Sequence, residues 1–127
     1  MTNTKKTILI VDDDKQFREY MLEMLVEQNY NVLGAANGEE GLSLYSSVKP
    51  DLIITDIVMP EKEGIELIIT VRNVDLQTPI IAVSGGNLGN ADSYLSMARK
   101  LGVNSALAKP FSLDAILQEI ETLLSDK

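Results

Sequence analysis

The apolar, β-branched run Thr7-Ile8-Leu9-Ile10-Val11 stops dead at Asp12-Asp13-Asp14, and no other feature restricts the fold of this chain as much. A short continuous run of this kind suits a strand buried on both faces, as in a parallel sheet between two layers of helices. The period then changes. Phe17, Tyr20, Met21, Met24, Leu25 and Gln28 recur on one helical face, with Arg18, Glu19, Glu23 and Glu27 elsewhere and Asp14 placed to cap the helix. A strand followed by a helix is the unit, and the rest of the chain repeats it.

Val32 to Ala35 is a weaker strand. Asn37-Gly38-Glu39-Glu40 then offers an N-cap with a glutamate at the third helical position, ahead of Leu42, Tyr45 and Val48, and Pro50 closes that helix. Leu52 to Thr55 runs into Asp56, a loop Ile57-Val58-Met59-Pro60 follows, and Gly64 precedes a helix carrying Ile65, Ile68 and Ile69. Pro79 to Val83 forms the fourth strand, ended by Ser84-Gly85-Gly86 and a polar loop from Asn87 to Asn90. A helix with Ala91, Tyr94, Leu95, Ala98 and Leu101 stops at Gly102, a residue suited to a helix C-cap. Val103 to Ala108 is the fifth strand. Ser112 caps a last helix whose apolar stripe is Leu113, Ile116, Leu117, Ile120, Leu123 and Leu124.

Five strands alternating with five helices read as an α/β fold, a doubly wound five-stranded parallel sheet covered on both faces. Of the common orders, the flavodoxin-like order 2-1-3-4-5 fits the strand count and sets strands one and three side by side at the switch point. With 127 residues the chain is expected to form a single domain over 1–127. The absence of Cys and His excludes disulfides, thiolate or histidine nucleophiles, and zinc or haem sites built on those side chains. A formal charge of −8 leaves no basic stripe for direct nucleic-acid binding. No apolar run approaches the roughly 18 residues of a membrane span, and the start MTNTKKT lacks a signal-peptide core, so a cytoplasmic location is expected.

In an open parallel sheet the ligand crevice lies beyond the carboxyl ends of the strands at the switch point, where strands one and three both deposit acids. Asp12, Asp13 and Asp56 are therefore expected to converge. Carboxylates so placed raise one another's pKa or recruit a cation, and an oxygen-only site suits a hard ion, with magnesium the usual occupant beside phosphate. Ser84 offers a hydroxyl at the end of strand four. Lys109, at the end of strand five, offers a cation for phosphoryl oxygens, and its bond to Pro110 is a candidate for the cis form. The glycines of Ser84 to Gly89 fit neither a dinucleotide loop nor a P-loop.

Taken singly, each residue has a plainer reading. Asp12 and Asp13 are solvated loop acids, Ser84 a turn residue, Lys109 a surface charge, and Tyr20, Tyr45, Met21 and Met24 packing residues on helix stripes. Coincidence shifts the balance, since four strand ends of five carry what one phosphoryl site needs.

ILIVDDD, DLIITDIVMP, PIIAVSGG and ALAKPF, in this order and at these separations, resemble the receiver domain of two-component response regulators over essentially the whole chain. The resemblance implies that Asp56 accepts a phosphoryl group from the phosphohistidine of a sensor histidine kinase or histidine phosphotransfer protein, or from a small-molecule donor, with Mg2+ present. By position it implies Asp13 as a direct magnesium ligand, Asp12 acting through water, and the backbone carbonyl of Val58 completing the set. Ser84 and Lys109 would each take a phosphoryl oxygen. The downstream effector is not named by the sequence. One departure is Ala106, where the family commonly carries Tyr or Phe, which puts signalling through that ring in doubt.

Three other readings stay open at this point. A haloacid-dehalogenase-type phosphatase wants an Asp two residues after its nucleophile, where Val58 stands. A degenerate receiver that only docks partners would not need the full set Asp12, Asp13, Asp56, Ser84 and Lys109. A flavodoxin would need a hydroxyl-rich loop after strand one.

Overall fold

The computed structural model describes residues 5–59, 63–85 and 91–125. Pro60, the loop from Gly86 to Asn90 and the side-chain placements expected for Ala91, Tyr94 and Leu95 lie outside the described residues. The elements are β1 (Thr7–Val11), α1 (Lys15–Glu27), β2 (Asn31–Ala35), α2 (Gly38–Val48), β3 (Leu52–Asp56), α3 (Glu63–Val74), β4 (Ile80–Gly85), α4 (Ala91–Lys100), β5 (Ser105–Lys109) and α5 (Leu113–Ser125). One sheet holds all five strands in the order β2-β1-β3-β4-β5, and every neighbouring pair is parallel. The expected architecture and order are both present.

Strand alternation divides the core into two layers. Leu9, Val11, Ile53, Ile80 and Ala82 face α2, α3 and α4, while Ile8, Ile10, Leu52, Ile54, Ile81 and Val83 face α1 and α5. Both faces of the central strands are covered, which is why their sequences are continuous apolar runs rather than alternating ones.

The helix starts follow the sequence signals. Asp14 Oδ1 accepts the amides of Gln16 and Phe17 at 3.1 and 3.2 Å. Asn37 Oδ1 accepts that of Glu40 at 2.8 Å, and the Glu40 carboxylate returns to the amide of Ala36, one residue before the cap. Ser112 Oγ accepts the Ala115 amide, and Gly102 ends the α4 segment at φ +101°, a conformation that favours glycine.

Some stripes are narrower than the apolar residues alone suggest. Tyr20, Val48, Ile69 and Leu113 are exposed, and Gln28 is the C-cap of α1 rather than part of its face. In α3 the buried stripe is Gly64, Leu67, Ile68 and Val71; a run of consecutive isoleucines carries no period by itself, so Leu67 and Val71 decide which face turns inward. Val103 and Asn104 precede β5, so alternation does not reach back to them, and Val103 packs in the same layer as Ala106 instead of opposite it.

At the amino end of the sheet, away from the acids, Asn104 Oδ1 accepts both the buried amide of Ile80 at 2.9 Å and Arg72 Nη2 at 3.0 Å. Arg72 also donates to the carbonyls of Gly102 and Asp75. Asp75 accepts from Thr78 and Tyr45 hydroxyls at 2.6 and 2.7 Å, which holds its carboxyl well below the usual range. Burial and that carboxylate push the Tyr45 phenol up to about 12. Asn104→Ala leaves the Ile80 amide without its acceptor and is expected to cost about 2 kcal/mol, read as a lower urea midpoint at unchanged slope.

Candidate functional site

The register brings the acids together. Val11 pairs with both Ala35 and Thr55, so the residues that follow, Asp12 and Asp56, leave adjacent strands at the same level. The Asp12 amide still bonds to the Ala35 carbonyl at 3.0 Å, its Oδ1 accepts the Asp14 amide at 2.8 Å, and its own carbonyl accepts Arg18 Nη1 at 2.6 Å. Asp56 Oδ1 accepts the Val58 amide at 2.8 Å. Asp12 is 1% exposed and Asp56 6%, whereas Asp13 lies open to solvent. One oxygen from each of Asp12, Asp13 and Asp56 falls within 4.8 Å of the others.

Lys109 crosses to this pair from β5. Its Nζ donates to Asp12 Oδ2 at 2.8 Å and to Asp56 Oδ2 at 3.3 Å, and the Lys109-Pro110 bond is cis. The Phe17 ring centroid lies 3.9 Å from the same Nζ, and Phe17 meets Phe111 edge to face with centroids 5.9 Å apart. Ser84 stands one residue past Val83, the register partner of Asp56. Among the described residues its hydroxyl is buried with no hydrogen-bond partner. Leaving such a group unpaired costs roughly 1–3 kcal/mol, which makes this hydroxyl a candidate for contact with a bound group.

Electrostatics agree with an anionic site short of positive charge. Burial pushes the Asp56 carboxyl up to about 6, reinforced by the neighbouring Asp12, against the opposing pull of the Val58 amide and Lys109. Asp12 is raised by burial too. Burial disfavours the Lys109 ammonium, yet its hydrogen bond to Asp12 and the charge of Asp56 leave it above its ordinary value. Three carboxylates facing one ammonium, with no sulfur or imidazole among the donors, form an oxygen set that fits a hard divalent cation.

All five side chains singled out in the sequence, Asp12, Asp13, Asp56, Ser84 and Lys109, stand at the carboxyl end of the sheet. The chain of contacts joining Asp12, Lys109 and Asp56 is direct. Three residues read only as pattern acquire a part here. Phe17 was one position of a helical stripe and Arg18 a surface charge; both lie in the first turn after the acidic loop, and that spacing was the signal available. Gly64 is the third. A Cβ there would sit 2.1 Å from the Asp56 carbonyl oxygen, so the start of α3 rests on the backbone of the acid itself.

With this geometry in view, comparison with known proteins is informative. The family model described as the response regulator receiver domain matches residues 8–121. The chain is 33% identical over 119 residues to the chemotaxis protein CheY of Bacillus subtilis (strain 168), covering 93% of this chain and 97% of that one. To the alkaline phosphatase synthesis transcriptional regulatory protein PhoP of the same organism it is 31% identical, covering 94% of this chain and 48% of the relative. Among solved structures, a CheY-like response regulator receiver domain protein from Methanospirillum hungatei JF-1 superposes with a TM-score of 0.85 at 28% identity, over 97% of this chain and 96% of that one. These matches do not favour the phosphatase or docking-only readings. A parallel sheet in the order 2-1-3-4-5, an acidic cluster at its carboxyl end and a family match over most of its length lead to one statement: the chain belongs to the response regulator receiver domains, whose family function is to take a phosphoryl group from a histidine kinase in two-component signalling.

Proposed function

We propose that Asp56 is the phosphoryl acceptor, that Asp12, Asp13, Asp56 and the backbone carbonyl of Val58 hold Mg2+, and that Ser84 and Lys109 each take a phosphoryl oxygen. The observation that carries this reading is the Ser84 hydroxyl, buried and without a hydrogen-bond partner among the described residues, one residue past the register partner of an acid that already shares Lys109 with Asp12. The donor is the phosphohistidine of a sensor histidine kinase or a phosphotransfer protein, since this chain has no His of its own. An Asp56 carboxylate oxygen forms a bond to phosphorus while the phosphorus–nitrogen bond breaks, and its electron pair leaves with the imidazole, which takes up a proton. Asp56 must be ionised to attack, and with a carboxyl near 6 it is mostly so at neutral pH. Such a transfer needs in-line positioning and neutralised charge more than covalent machinery. Bound magnesium supplies part of that neutralisation, and Lys109 the rest.

Among the described residues the five strands share one sheet and the helices pack on it in two core layers, which supports reading residues 1–127 as one receiver unit. The formal charge of −8 favours a protein over nucleic acid as the direct recipient of the signal. No helix among the described residues is long and apolar enough to cross a membrane.

Incubation with acetyl phosphate and Mg2+ is expected to give one phosphoryl adduct by intact-mass spectrometry, absent in Asp56→Asn and in excess chelator. Lys109→Met is expected to slow its formation on the order of a hundredfold. Asp13→Asn is expected to raise the metal-free melting temperature, by relieving repulsion, and to remove most of the stabilisation that magnesium gives the parent. An undiminished adduct on Asp56→Asn would overturn the assignment.

A further inference from the structure

A lysine side chain is long and loses considerable rotamer freedom when its ammonium is held at one point. Here the point is set on one side by Asp12 Oδ2 and Asp56 Oδ2, at 2.8 and 3.3 Å from Nζ. On another side stands an aromatic face, the Phe17 ring, with its centroid 3.9 Å from the same atom. The ring is well anchored. Its backbone amide is held by the Asp14 cap in the first turn of α1, and its plane is met at 87° by Phe111, two residues beyond Lys109. A small pocket of about 120 Å³ is lined by Lys109 together with Phe17, Met21, Phe111 and Ile116, and on its outer side by the exposed Tyr20 and Leu113. That cavity is room into which the stem could fold if the ring were cut back.

We propose that Phe17 is a positioning residue for Lys109: its π face holds the ammonium against the two carboxylates, and it thereby sets the rate at which Asp56 is phosphorylated. The inference rests on the reading of Lys109 as a ligand of phosphoryl oxygens. Attraction between an ammonium and the negative face of an aromatic ring strengthens when both are withdrawn from water, and Lys109 is only 18% exposed. During transfer from acetyl phosphate, an Asp56 oxygen bonds to phosphorus as the phosphorus–oxygen bond to acetate breaks, and acetate departs with the electron pair. The terminal phosphoryl oxygens then need a cation already in place, and one swung into the cavity or out to solvent would arrive late.

The test is a double-mutant cycle on the initial rate of adduct formation with acetyl phosphate and Mg2+, using the full chain. Phe17→Leu, which keeps apolar bulk but removes the π face, is expected to slow the reaction by roughly 3- to 10-fold. Phe17→Tyr, which keeps the ring, should restore the rate to within about twofold of the parent, and Phe17→Leu in a Lys109→Met background should change it by less than about twofold. Calorimetric titration with Mg2+ alone should give the same affinity for Phe17→Leu as for the parent. Equal slowing in both backgrounds, a loss of magnesium affinity, or no slowing by Phe17→Leu while Lys109→Met is slow would each overturn the proposal. If Lys109→Met itself reacts as fast as the parent, the role of Lys109 falls, and this inference falls with it.

Discussion

Gly64→Ala is expected to cost about 3 kcal/mol of stability, a large effect for one methyl group. The added Cβ would lie 2.1 Å from the Asp56 carbonyl oxygen, 2.7 Å from Ile57 Cα and 3.0 Å from the Asp56 carbonyl carbon. All three are backbone atoms, so no rotamer change can make room. Instead α3 must back away from the end of β3, which loosens the packing of Leu67, Ile68 and Val71 against the core and moves the peptide that carries Asp56. Gly34→Ala is the internal control. Its Cβ meets the tip of a leucine side chain, Leu22 Cδ1, at 3.0 Å, and a small shift of that tip should hold the cost to about 1 kcal/mol or less. Urea unfolding of the two variants checks both expectations. A Gly64→Ala midpoint equal to that of the parent would mean that α3 does not rest on Asp56 as described.

Asp56→Asn, measured in chelator, is expected to be more stable than the parent at pH 7.5 by about 2 kcal/mol and equal to it near pH 4. The sign follows from the direction of the shift. The folded-state carboxyl is raised from 3.8 to about 6, so the fold prefers the protonated acid. The contribution this makes to parent stability is fully present below the unfolded value and is lost as the pH rises through the folded one. A shift of this size corresponds to roughly 3 kcal/mol in all, of which about 2 falls between pH 4 and 7.5, because the unfolded acid is already partly ionised at pH 4. Asparagine does not titrate, so the two curves part between pH 4 and 7. Thermal or urea unfolding across that range checks the expectation, and parallel curves would show that the parent holds the ionised acid without penalty.

How much of this was readable beforehand depends on the kind of interaction. β1 and β3 announce themselves because a strand buried on both faces must be apolar at every position, and the polar residue that ends each run falls at the sheet rim by necessity. That is why Asp12 and Asp56 could be paired from sequence. The N-caps at Asp14, Asn37 and Ser112 were also readable, since capping is settled within three residues of chain. Long-range packing was not. Nothing in Phe17 itself distinguishes a ring that buries its edge from one that faces an ammonium 92 positions away, and both occupy the same stripe. Tyr20 shares that stripe and is 55% exposed. Asn104 falls within the run read as the fifth strand and Arg72 belongs to no sequence signal, yet Asn104 Oδ1 accepts a buried amide of β4 and Arg72 donates to the same oxygen, contacts that only the folded sheet creates. Gly64 gave a helix boundary, and its closeness to Asp56 is a fact of three-dimensional approach that no local pattern encodes.

Lys109 and Asp12 are 97 positions apart, one on the last strand and the other just after the first. During synthesis the three acids therefore emerge long before the cation that balances them. A chain truncated ahead of Lys109 would carry its negative cluster without the ammonium that meets Asp12 and Asp56. The counter-charge of the acids is thus in place only once β5 has joined the edge of the sheet.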